Sequence, residues 1–206
     1  MHARSSPCLP FRTALGFAGA LLCVLATPAC AEQPRVPSTR PPLAFAGVPN
    51  LTFAYYDVSG RTIDEIRRSL DARQPRDPND GTSVAALSSW SMRWGWRARG
   101  GGGCDLANPS IDFGARIQLP RLVTQSELAP ELLARWRRFI AAVEAHESRH
   151  VRYAYEHRRD VAAAIRASDC AGAASAAAAA VRAIAQRDID YDRATRHGTT
   201  EGAVFP

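Results

Sequence analysis

Apolar and polar positions follow two different rhythms along this chain. From about residue 51 to residue 120 the period is two. Leu51 to Val58 (LTFAYYDV) is rich in aromatic and β-branched side chains and predicts a strand. Trp90, Met92, Trp94 and Trp96 alternate with small or charged residues, and Ile111, Phe113, Ala115, Ile117 and Leu119 alternate again. Each run predicts a half-buried strand, and together they predict a hairpin closed by the Gly100 to Gly103 loop. Between them, Thr62-Ile63-Asp64-Glu65 is a capping box that starts a short helix ending near Ala72. Gln74 to Thr82 (QPRDPNDGT) reads as a turn-rich break.

Beyond residue 130 the rhythm becomes helical. Pro130 suits a first helical position, and no Gly or Pro follows until Gly172. The run breaks at Asp169-Cys170-Ala171-Gly172, and a second helix is expected from Ala173 to about Arg196, with Gly198 past its end. Trp136, Ile140, Val143, Glu147, His150 and Ala154 form the inward stripe of the first helix; Val181, Ile184, Asp188, Asp192 and Thr195 form that of the second. The expected fold class is therefore α+β: a small antiparallel β-sheet followed by a long antiparallel two-helix hairpin.

The N-terminus reads as an address. Arg4 and Arg12 precede an apolar run from Ala14 to Leu25, and Ala29-Cys30-Ala31 offers small residues before Glu32. That layout is a secretory signal peptide, too short to span a membrane. The expectation is an exported protein, periplasmic or secreted, without a membrane span. Residues 1–31 are removed, 32–49 form a Pro-rich linker, and 50–206 form a single domain. Lipid attachment at Cys30 is the alternative, but Thr27-Pro28-Ala29 lacks the aliphatic residue expected three places before the cysteine. Cleavage after Ala31 leaves Cys104 and Cys170, an even pair in an oxidising compartment, and predicts a disulfide.

Charge adds little. The formal net charge is +6 and all 26 basic residues are arginines, but they are scattered among acids rather than blocked. Dispersed arginine points to solvated surface, and no nucleic-acid partner is expected.

One motif carries chemistry. His146-Glu147-Ser148-Arg149-His150 lies inside the long helix, where a spacing of four puts both imidazoles on one face, one turn apart. Such a pair can grip one Zn²⁺, with Glu147 placed to act as general base on an activated water. The bland alternative is an amphipathic helix whose His and Glu have no metal. Glu147 and His150 sit on the apolar stripe, where an ionisable group without a partner is costly.

A catalytic zinc site needs a third protein ligand. His157 is seven residues beyond His150, about 10 Å along the axis, and is expected to be exposed. With a turn near 169–170, the second helix brings Asp188, Asp192 and, slightly beyond, His197 level with the pair. His197 is the expected third ligand, since imidazole suits zinc and Gly198 ends the helix beside it. Asp192 is the alternative ligand, or an acceptor that orients a ligand histidine. Tyr191 is a packed aromatic that could also help to stabilise an oxyanion.

Tyr55-Tyr56-Asp57-Val58 with Gly60 and Thr62, the Trp90 to Trp96 strand, Cys104, Leu119-Pro120, Trp136, His146-Glu147-x-x-His150 and Cys170 make a recognisable series. It closes with Tyr191-Asp192-x-x-Thr195-x-His197-Gly198, Gly202-Ala203 and Phe205-Pro206. The chain resembles a bacterial family of unknown function described as predicted secreted zinc-dependent proteases. Arg149 departs from the Gly expected in many relatives. The resemblance implies one zinc per chain and a peptide or protein substrate. The expected function is an exported zinc metallopeptidase; the alternative is a non-catalytic envelope binding or scaffolding protein with a structural or vestigial metal site.

Overall fold

The computed structural model describes residues 42–206, so the expected leader, Cys30 and most of the expected linker lie outside the described residues. Six main elements follow in order: β1 (Leu51–Val58), α1 (Ile63–Asp71), β2 (Leu87–Ala98), β3 (Cys104–Leu122), α2 (Pro130–Arg166) and α3 (Ala173–Thr195). The class is α+β, as the two rhythms require. No helix among the described residues is long and apolar enough to cross a membrane.

The sheet corrects one expectation. Its strand order is β1-β3-β2, and β1 runs parallel to β3 while β2 runs antiparallel to it, so the sheet is mixed. The hairpin of β2 and β3 pairs Trp90 with Ala115, Met92 with Phe113 and Trp94 with Ile111. β1 then docks on the free side of β3, with Tyr55 opposite Leu119. A period-two pattern fixes which side chains share a face and carries no information on the direction of the neighbouring strand. That direction was set by α1 and the 72–86 segment, which carry the chain away from β1 before the hairpin begins.

Local signals hold at the element ends. Thr62 Oγ1 accepts from the Glu65 amide at 3.3 Å, and Glu65 Oε2 accepts from the Thr62 amide at 3.3 Å, completing the capping box of α1. α2 opens with Pro130 and runs for 37 residues. Cys104 and Cys170 form a disulfide that ties the start of β3 to the turn between α2 and α3. Closing a loop of 66 residues is worth about 4 kcal/mol on the chain-entropy account.

The core lies between the sheet and α2. Val58, Ile66, Ile117, Val143, Val151, Val161 and Ile165 are fully enclosed, and each contributes roughly 1.5–3 kcal/mol by leaving water. Phe45, within the stretch expected as linker, is only 2% exposed and packs edge-on against Phe53, so the folded region includes it. At the other end of the chain, Phe205 packs edge-on against Trp136 and Phe139, with ring centroids 5.7 and 5.6 Å away. That aromatic anchor folds the segment after α3 back onto α2, which matters for the site.

Candidate metal centre

α2 and α3 run antiparallel, with His146 facing Asp192 and His150 facing Asp188. His146, Glu147 and His150 are all buried on the inner face of α2. The Nε2 atoms of His146 and His150 lie 3.2 Å apart, and Asp192 Oδ1 lies 3.1 Å from the first and 3.0 Å from the second. Three donor atoms from two helices thus converge on one point, and this is one of two groups among the described residues that could hold a metal ion.

Each imidazole is held from behind. His146 Nδ1 faces Glu201 Oε2 at 3.0 Å, and His150 Nδ1 faces Asp188 Oδ1 at 3.2 Å. A carboxylate on Nδ1 keeps the proton at that nitrogen, so that loss of the second proton leaves Nε2 free to donate its lone pair inward. The two carboxylates are themselves held. Tyr191 donates its hydroxyl to Glu201 at 2.7 Å, Arg149 pairs with Glu201, and the Trp90 indole N–H donates to Asp188. Tyr191 also stacks on His146, with centroids 5.0 Å apart. Burial raises the Tyr191 hydroxyl to about 12, so it remains a donor across the ordinary pH range.

The electrostatics of the metal-free chain call for positive charge. Burial pulls His150 down, but Asp188 and Asp192 outweigh it and raise it to about 10. His146 is likewise pulled down by burial and lifted above its ordinary value by Asp192 and Glu201. Burial works against ionised Asp192, yet the two imidazoles hold it well below the usual carboxylate range. Glu147 is pushed upward by burial, against the pull of the neighbouring imidazoles and a hydrogen bond from Ser88.

The expected site residues do not all meet. Asp192 occupies the third corner of the triangle. His197 stands just outside it: Nδ1 is 3.8 Å from Asp192 Oδ1 and 3.5 Å from buried Asp77, while Nε2 is 3.0 Å from Asp80. Asp77, Asp80 and His197 form the second group that could hold a metal. His157, expected to be exposed, is half-buried, with its ring stacked on Tyr153 and Nδ1 facing the Tyr153 carbonyl at 2.8 Å. One turn of helix brings an aromatic beneath it, and it takes no part in the centre.

Glu201, Ser88, Asp77 and Asp80 were not singled out by sequence. Glu201 had a signal, since it lies between Gly198 and Gly202 in the distinctive C-terminal block. Asp77 and Asp80 read only as turn formers, which they also are, accepting from the amides of Asn79 and Thr82.

Gly198 has a role beyond ending a helix. Its φ is +77°, and a Cβ there would stand 2.8 Å from Cγ of the His146 ring. Gly198→Ala is expected to cost about 1–3 kcal/mol through backbone strain and crowding. Urea unfolding would show the loss, and the His146 ring resonances should shift; unchanged resonances would contradict this contact.

The fold and the buried two-histidine, one-carboxylate cluster define an α+β protein built around a candidate metal centre. A family profile, described as bacterial protein of unknown function (DUF922), matches residues 53–198, and the chain belongs to that family. No curated protein and no solved structure matches it.

Proposed function

We propose that the protein is an exported zinc-dependent hydrolase acting on peptide bonds, with His146, His150 and Asp192 holding the ion and Glu147 acting as general base. The observation that carries this reading is the donor triangle. A tetrahedral zinc with ligands at about 2.0–2.2 Å separates neighbouring donor atoms by about 3.3–3.5 Å. The three separations here, 3.2, 3.1 and 3.0 Å, fall a few tenths of an ångström short of that face, so small side-chain movements open it to the ion. The cavity above it has a volume of about 80 Å³, room for an ion and a water, and Glu147 lines it.

Bound zinc supplies a Lewis acid, lowering the pKa of water and polarising a carbonyl. Glu147 accepts the proton of the attacking water as oxygen bonds to the carbonyl carbon. It then passes that proton to the departing amine nitrogen as the C–N bond breaks, so the carboxylate is regenerated. Asp188 and Glu201 hold the imidazoles in the donating tautomer, and Tyr191 and Arg149 hold Glu201.

The test uses purified protein, elemental analysis and a peptide assay. About one zinc per chain is expected at the centre, with hydrolysis abolished by a chelator and restored by zinc. A zinc-loaded chain that neither cleaves peptides nor binds a hydroxamate would overturn the reading.

Metal affinity should depend steeply on pH. A folded-state pKa of about 10 for His150 stabilises the metal-free fold fully below pH 6.5, and this stabilisation is lost as pH rises through about 10. Zinc must displace that proton, so affinity rises with pH across this window. Calorimetry at pH 7 in buffers of different ionisation enthalpy should show about one or more protons released per ion. Proton-neutral binding would contradict the placement of His150.

A further inference from the structure

The run of chain 82–88 walls two neighbouring cavities. On one side is the small cleft over the donor triangle; on the other is a larger cavity of about 270 Å³. Val84, Ala85, His197 and Ala203 line both, so the two spaces share a partition. Their chemistry differs. Three imidazoles and four carboxylates line the small cleft beside its apolar residues, whereas Leu70, Phe139 and Phe205 give the larger one an apolar surface that Gln74, Thr82, Ser83 and Thr199 border.

We propose that this larger cavity is the specificity pocket of the site, taking a bulky apolar side chain, Leu or Phe, from the residue beside the bond that is cut. The inference rests on the hydrolase reading and adds the substrate class to it. Three observations lead there. The volume suits one large side chain and is too small for a folded partner. Leu70, Phe139 and Phe205 are each less than a tenth exposed, so the pocket wall is held by the core and stands preformed. Val84, Ala85, His197 and Ala203 border both spaces, and His197 Nδ1 lies 3.8 Å from Asp192 Oδ1, so the pocket adjoins the cleft over the donor triangle. An apolar side chain entering it removes its own surface and that of the wall from water. A charged one would lose hydration there; Arg67, Asp71 and Arg196 line the cavity too, but all three are exposed and stay solvated.

The test measures binding rather than turnover. Peptide hydroxamates differing only in the side chain beside the hydroxamate, as Gly, Ala, Leu, Phe or Glu, are titrated into zinc-loaded full-length protein. The Leu and Phe compounds are expected to bind at least about tenfold more tightly than the Ala compound. Val84→Phe, which fills the pocket from the partition, should cut that advantage to about twofold or less. Should that variant not fold, Leu70→Ala deepens the pocket and should shift the preference from Leu to Phe. A flat series in which the Gly compound binds overturns the pocket and leaves the hydrolase reading standing. A preference unmoved by either variant also overturns it. Failure of every compound in the series to bind overturns the pocket, and the hydrolase reading with it when no peptide is cleaved either.

Discussion

Asp192→Ala should empty the metal centre, while His197→Ala should leave it filled. Asp192 Oδ1 is the only carboxylate oxygen among the described residues that lies within about 3 Å of both Nε2 atoms. Removing it leaves two imidazoles, one fewer than a catalytic zinc requires. It also removes the charge that offsets a dication in a buried setting. Zinc affinity should fall by more than about 100-fold, beyond the range for losing an outer partner. His197 engages Asp77 and Asp80 instead, and its loss should change affinity by about tenfold at most. Elemental analysis of the parent and both variants, prepared side by side, decides the matter. Zinc lost from the His197 variant alone would make His197 the third ligand and return Asp192 to an orienting role.

Glu147→Gln should abolish hydrolysis and leave both the fold and the zinc in place. General-base catalysis contributes about 10²–10⁴ in rate, and an amide cannot accept the proton. The side chain is nearly isosteric and can keep its contact with Ser88. Glu147 is 6% exposed and burial pushes its carboxyl upward, so a neutral amide removes a desolvation cost. The melting temperature of the metal-free variant should therefore equal or exceed that of the parent. This separates chemistry from folding: activity falls while stability does not. Parent-like cleavage by the variant would remove Glu147 from the mechanism.

Much of this centre is legible in the sequence because the relevant geometry is local. A helix carries residues four apart to the same face whatever surrounds it, so His146 and His150 had to converge once α2 formed. The capping box, Pro130 and the glycine beyond α3 are equally local. The disulfide was accessible for another reason: two cysteines remained after an expected cleavage, and two admit one pairing.

The direction of β1 and the identity of the third group have a different origin. Strand direction depends on the connection through α1 and the 72–86 segment, which alternation of side chains does not record. The choice between Asp192 and His197 depends on the register of α3 against α2 and on the path of the chain after Gly198. That path is set by Phe205 packing on Trp136 and Phe139, residues distant in sequence, and the same packing delivers Glu201 to His146. Sequence alone therefore determined the helical histidine pair and its adjacent carboxylate, through short-range backbone geometry. Which acids close around that pair was decided only when long-range apolar packing fixed the two helices and the chain end against one another.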